Sequence, residues 1–261
     1  MADVFVKEKI EQGSEEFNIL GPFGNLYGII NKCRNKENIR KVIVIAHGFR
    51  GSLEGGGRAT RLASLAADLG QVVRFNFSEC QLLSKQVREL ECILEFVQAR
   101  FKPQKICLLG RSLGGATAII VAGNSTAKTM PAITGMVLWS TPNDLPKTFK
   151  NVLGEDNFGR LSSGQDLWLQ DERGLVLIQA AFVQEIQKYD LPTYLRNWKD
   201  KPVLVLHGTE DVIVSPDQAQ ANYQALGEPK QLVYIQGGDH SFTTRSTEAA
   251  STVLNWLGSW F

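Results

Sequence analysis

Three residues in this sequence are of the types and in the settings that could share one reaction: Ser112, Asp211 and His240. Ser112 lies in Gly110-Arg111-Ser112-Leu113-Gly114, between the apolar run Lys105 to Leu109 and a second apolar run to Ile120. A serine hydroxyl is a poor nucleophile in water, so it needs open space, a base beside it and N–H donors where negative charge develops. A sharp strand-to-helix turn supplies the space, because Gly110 and Gly114 remove side chains where backbones crowd. The Leu113 amide, next along, then points at the developing oxyanion. Asp211 follows Leu206-His207-Gly208, and His240 sits in Gln236-Gly237-Gly238-Asp239-His240-Ser241. In this arrangement His240 takes the serine proton as general base and returns it to the leaving group, while Asp211 holds the imidazole tautomer and stabilises the imidazolium.

A second oxyanion donor is expected in the loop His47-Gly48-Phe49-Arg50-Gly51, where Gly48 lets the Phe49 amide face the nucleophile opposite that of Leu113. Two other acids, Glu210 and Asp144, compete with Asp211 for the carboxylate role. Asp211 itself has a competing use, since aspartate often caps a turn. Asp239 reads as a loop-shaping neighbour of His240. Of the three histidines, His47 and His207 each precede a glycine at a strand end, where an imidazole more often makes structural hydrogen bonds.

These residues need elements to hold them. Lys41 to Ala46 is an unbroken apolar run that reads as a strand buried on both faces. The same reading applies to Lys105–Leu109, Ile133–Trp139 and Pro202–Leu206, with further strands at Gln71–Phe77 and Lys230–Ile235. Helical spacing marks Ala59 to Leu69, Val87 to Phe101, the run after Ser112, Pro216 to Ala225, and a last helix carrying Ala250, Val253, Leu254 and Leu257. Short strands at Val4–Ile10, Glu16–Leu20 and Leu26–Asn31 predict an antiparallel edge. Alternating strands and helices predict an α/β architecture with a mainly parallel sheet covered on both faces, whose ligands bind beyond the carboxyl ends of the strands. The rhythm breaks from about Asn143 to Trp198. That stretch holds polar turns, a candidate hairpin of Asp166–Gln170 with Gly174–Ile178, and one or two helices. A connection this long calls for structure of its own or a lid function.

The chain has 261 residues, 43% hydrophobic and 21% charged, with a net charge of +1, which suits one large domain and gives no field to attract nucleic acid or an acidic membrane. Cys33, Cys80, Cys92 and Cys107 lack metal-ligand spacing and read as structural thiols. The start, Met1 to Phe5, is not a secretion signal, and no run reaches membrane-spanning length, so a cytoplasmic setting is expected.

On His47-Gly48-Phe49, Gly110-Arg111-Ser112-Leu113-Gly114-Gly115, His207-Gly208-Thr209-Glu210-Asp211 and Gly238-Asp239-His240, the chain resembles the α/β-hydrolase superfamily over nearly its whole length. The segment after Pro142 and the closing Asp239-His240-Ser241-Phe242 are similar to the group of bacterial feruloyl and cinnamoyl esterases and serine aminopeptidase-like proteins. The resemblance implies an eight-stranded, mostly parallel sheet, a core of residues 1–142 and 199–261 with a small cap at 143–198, and acyl transfer through a serine acyl-enzyme without metal or organic cofactor. One departure follows the strand ending at Phe77, where many relatives carry His-Gly and this chain reads Glu79-Cys80. The expected activity is carboxylesterase hydrolysis of small to medium acyl or aryl esters, by a monomer or homodimer. An aminopeptidase or amidase on the same residues would need a carboxylate for the substrate amine, from Asp166, Asp171, Glu172 or Glu185. A thioesterase is a further alternative, as is a binding protein of the same fold that has lost catalysis.

Overall fold

The computed structural model describes residues 13–78, 82–124, 133–171 and 174–261. The expected strand at Val4–Ile10 and the Glu79-Cys80 departure lie outside the described residues. The strands are β1 (Ser14–Gly21), β2 (Gly24–Asn31), β3 (Lys41–Ala46), β4 (Gln71–Phe75), β5 (Lys105–Arg111), β6 (Ile133–Trp139), β7 (Leu167–Asp171), β8 (Gly174–Ile178), β9 (Val203–Gly208) and β10 (Lys230–Ile235). The helices are α1 (Arg58–Ala66), α2 (Leu83–Phe101), α3 (Leu113–Gly123), α4 (Leu145–Leu153), α5 (Glu155–Ser162), α6 (Ala180–Ile186), α7 (Leu191–Asn197), α8 (Pro216–Ala225) and α9 (Ser246–Trp260). Eight strands form one sheet in the order β1-β2-β4-β3-β5-β6-β9-β10. β3, β4, β5, β6, β9 and β10 run parallel, and β1 and β2 add an antiparallel edge. The eight-stranded, mostly parallel α/β expectation is borne out.

The apolar runs divide between two layers with the two-residue period of a strand. In β3, Val42, Val44 and Ala46 face the layer that holds α2 and α3, while Ile43 and Ile45 face α1 and α9. Ile106 and Leu108 in β5 repeat the pattern against Cys107 and Leu109, as do Val203 and Val205 in β9 against Leu204 and Leu206. Each fully buried Val, Leu or Ile of this kind contributes about 1.5–3 kcal/mol. Both faces are apolar because both are covered.

Residues 143–198 fold as α4, α5, the β7–β8 hairpin, α6 and α7. The hairpin matches its sequence expectation within a residue, but α4 and α5 lie where polar turns were expected. They are short helices started by local chemistry: Asp144 caps α4 by accepting a hydrogen bond from the Lys147 amide at 2.9 Å, with Pro146 in the first turn. A positive-φ glycine, Gly154, then separates α4 from α5. In a window of about ten residues such helices are overshadowed by the polar residues of their outer faces.

Candidate active site

Strand register sets the site. Ala46 pairs with Gly110, Arg111 with Trp139, Trp139 with Leu206, and Gly208 with Ile235, so β3, β5, β6, β9 and β10 end at a common level. The loops that follow carry His47–Gly51, Ser112, Asp211 and His240. Ser112 joins β5 to α3 with φ 52° and ψ −122°, a strained conformation for a residue with a side chain. It is fixed at both ends: its amide donates to the Trp139 carbonyl at 2.9 Å, and its carbonyl accepts from the amides of Gly115 and Ala116. A side chain at position 114 would collide with the Ala46 and His47 carbonyl oxygens, so Gly114 lets the first turn of α3 lie directly on the end of β3. The amides of Leu113 and Gly114 open the helix and have no partner within it.

The neighbouring loop approaches Ser112 closely. A Cβ at Gly48 would stand 3.0 Å from the Ser112 Cβ and 3.6 Å from its Oγ. The Gly51 amide donates to the Gly48 carbonyl, closing a turn over Phe49 and Arg50, and Arg50 takes a φ of 52°. His47 pins this turn. Its Nε2 accepts from the Phe77 amide at 3.1 Å and its Nδ1 faces the Gly48 carbonyl at 2.9 Å, which fixes a neutral ring with the proton on Nδ1. Burial pushes its pKa down. The Phe49 ring stacks on Phe182 of α6 at 5.3 Å and meets Phe149 of α4 edge-on at 5.2 Å, and Phe149 and Phe182 touch each other at 4.7 Å.

Asp211 is 3% exposed and all four of its acceptor positions are used. Oδ1 accepts from the Ile213 and Val214 amides at 3.0 and 2.9 Å. Oδ2 faces His240 Nδ1 at 2.8 Å and His207 Nε2 at 3.1 Å. Burial alone would raise the carboxyl pKa. The hydrogen bonds from His207 and His240, with the Val214 amide, override it and hold the group well below the usual carboxylate range. Glu210 is exposed, and Asp144 is occupied as the cap of α4, so of the three acids weighed Asp211 is the one on His240. Asp239 Oδ1 accepts from the Ser241 and Thr243 amides and shapes the His240 loop as expected.

Arg111 bridges the two halves of the site. Its guanidinium donates to the Ser241 hydroxyl at 2.8 Å and to the His240 carbonyl at 3.5 Å, which ties the residue before Ser112 to the histidine loop. Among the described residues no hydrogen bond joins Ser112 Oγ to the His240 ring, a contact that often tightens only with substrate bound. The sequence did not single out Arg111; its signal was its place inside the elbow motif. Nor did it place His207 on Asp211, although the spacing of four residues across a strand end allows it.

A cleft of about 740 Å³ opens beside Phe49, between His47, Phe77, Ser78 and Lys85 on the core side and Trp168 and Leu175 on the hairpin. Trp168 is 64% exposed. The charged side chains lining it among the described residues are Arg50 and Lys85. Among those residues, no group of three or more His, Cys, Asp or Glu side chains is arranged to hold a metal ion. No helix of the described chain is long and apolar enough to cross a membrane.

With the strand order and this loop cluster in place, the family can be stated: the chain belongs to the alpha/beta hydrolase family, whose pattern matches residues 43–252. Among solved structures it is similar to Est1E from Butyrivibrio proteoclasticus, with a TM-score of 0.79 at 18% identity, covering 94% of this chain and 98% of that one. The same protein with ferulic acid bound gives a TM-score of 0.75 at 16% identity, covering 94% and 98%. An esterase domain from a Rhodothermus marinus protein gives 0.68 at 21% identity, covering 95% and 97%. At these identities the likeness is one of fold. Among curated proteins the chain matches the uncharacterized protein YfhR of Salmonella typhi, 24% identical over 162 residues, 59% of this chain and 47% of that protein. The chain thus spans about half the length of the curated relatives it matches.

Proposed function

We propose that this protein is a serine hydrolase of carboxylic esters that works through a Ser112–His240–Asp211 triad and an acyl-enzyme. The observation that carries the reading is the buried, fully hydrogen-bonded Asp211 holding His240 Nδ1, on a loop that Arg111 ties to a strained serine elbow. With Nδ1–H committed to Asp211, Nε2 of His240 is left as the base. It takes the Ser112 proton as Oγ attacks the ester carbonyl, and the Leu113 and Phe49 amides receive the oxyanion. His240 then protonates the departing alcohol. Water deacylates the enzyme by the same steps in reverse roles.

We assign residues 143–198 to the cap, with the hairpin over the cleft and α7 seated against α3 and α8 of the core. The cleft beside Phe49 is the expected site for the organic part of the ester. A peptidase reading has less support: Asp166 accepts from the Ala180 amide and Glu185 from the Ser84 amide, so both are already engaged, and no carboxylate lines the cleft among the described residues. The side chain of Asp171 and all of Glu172 lie outside the described part.

The test is a fluorophosphonate label read by intact mass, run beside p-nitrophenyl esters of graded acyl length, methyl ferulate, an acyl thioester and aminoacyl anilides. Ester turnover with one label, lost in Ser112→Ala, supports the proposal. Anilide turnover without ester turnover would make it a peptidase, a dominant thioester rate a thioesterase, and a folded protein with neither label nor turnover a binding protein.

A further inference from the structure

His207 is fully buried at the end of β9, and its ring is the second imidazole on the carboxylate of Asp211. Nε2 lies 2.8 Å from the Val214 carbonyl and 3.1 Å from Asp211 Oδ2. Both partners can only accept, so Nε2 carries the proton and divides it between them. Nδ1 is buried without a hydrogen-bond partner, so nothing there would receive a second proton. The tautomer is therefore fixed, and it is the opposite of the one in His47.

We propose that His207 is a positioning residue for the reaction: a neutral donor that shares Asp211 Oδ2 with His240, stops the carboxylate from turning about its own axis, and sets how strongly that oxygen pulls on His240 Nδ1–H. The inference rests on the triad proposed above. Oδ1 is held by two backbone amides and Oδ2 by two rings, one fully buried with a fixed tautomer and the other, His240, 15% exposed. With His207 absent, Oδ2 would keep only the partly exposed partner. A buried oxygen relieved of one donor binds the other more strongly, so imidazolium at His240 becomes easier to form and harder to discharge. The other charged groups near the pair are Arg111 at the end of β5, Asp239 on the His240 loop, Arg58 facing Asp239, and Glu210 and Arg245 around Gly237. None of them replaces a donor on Oδ2 among the described residues.

Only three histidines occur in the chain, so ring-labelled NMR can follow each one. In a Ser112→Ala background, which needs no turnover, His207→Leu is expected to raise the titration midpoint of His240 by about half a pH unit. With Ser112 intact the same change should lower kcat about tenfold, leave KM within about twofold, and move the acid limb of kcat/KM upward. His207→Gln, whose amide nitrogen falls near the imidazole Nε2, should recover most of both losses. An unmoved His240 midpoint in folded His207→Leu, or equal damage from Leu and Gln, would reduce His207 to core packing and overturn the proposal. If His207→Leu does not fold, the wild-type spectrum decides. The His207 ring must stay in the Nε2–H form while its proton resonance shifts as His240 titrates, and an Nδ1–H tautomer or a stationary signal overturns the idea. Failure of the triad itself would be seen separately, as absence of fluorophosphonate at Ser112.

Discussion

At Asp211 two physical effects oppose each other, and the outcome matters for the proposed reaction. Burial disfavours a charged carboxylate, while four donors favour it, and the donors prevail. Removing the charge while keeping the shape tests the role. Asp211→Asn should leave the fold in place and lower kcat by roughly four orders of magnitude, because an amide does not hold His240 in the tautomer with a free Nε2. Steady-state kinetics together with circular dichroism check this, and a near-normal rate would pass the role to another acid. In the sequence Asp211 competed with Glu210 and Asp144 and with a plain turn-capping use, and the geometry gives it both tasks, since Oδ1 takes the Ile213 and Val214 amides while Oδ2 takes His240. The buried partner, His207, was not legible in the sequence, because a histidine before a glycine at a strand end looks the same whether it faces a carboxylate or a carbonyl.

Among the elements, the strands and most helices could be read because burial on both faces forces unbroken apolar runs in β3, β5, β6 and β9, and one-sided burial forces helical spacing in α1 and α2. The inserted segment follows the second rule only over short spans, as in α4, where Leu145, Thr148, Phe149 and Leu153 are buried at helical spacing within nine residues. Its helices are short, and Phe149, Phe158 and Phe182 face inward from runs of seven to nine residues, too brief for a periodic pattern to stand out. Two aromatic residues of this segment have opposite settings: Phe182 is fully buried, whereas Trp168 stands in the open at the cleft edge. Their truncations should differ accordingly. Phe182→Ala removes a ring from the cluster with Phe49 and Phe149 and should cost about 3–5 kcal/mol of stability, seen as a large fall in the denaturant midpoint. Trp168→Ala should change stability by less than about 0.5 kcal/mol and raise KM for bulky aryl esters while leaving acetate esters nearly unaffected. Equal stability losses in the two variants would contradict this division of labour.

For the molecule as a whole, the pH dependence of stability follows from two of its buried groups. His47 has its pKa pushed below the ordinary value near 6.5, so the unfolded chain takes up that proton more readily than the folded one. Stability from this group is present above about pH 6.5 and falls as the pH drops toward the folded value. Asp211 is held below its ordinary value near 3.8, so its contribution persists above that pH and is lost further into acid, as the carboxylate becomes protonated. Thermal melts between pH 8 and pH 3 should therefore show a first decline beginning near pH 6.5 and a steeper one below about pH 4. In Asp211→Asn the second should be reduced and the first retained; an acid limb of the same depth in that variant would place its origin elsewhere. The fold that produces this profile was legible as a whole, since a parallel sheet aligns its strand ends and gathers the following loops. The contacts between those loops were not, because they depend on register that no single stretch encodes.

The stacking of Phe49 between Phe149 and Phe182 bears on how such a protein can diversify. The loop proposed to receive the oxyanion and the helices of the inserted segment form one apolar unit, so swinging α4 and α6 away as a lid would expose three rings and unseat the loop in the same motion. Admission of substrate is then left to the β7–β8 hairpin, whose Trp168 and Leu175 already stand in solvent. Selection acting on substrate choice has a short ribbon to work with that carries none of the proposed reacting groups, while drift in α4 or α6 is answered at the proposed oxyanion loop. New specificities in this lineage should accumulate in the hairpin first.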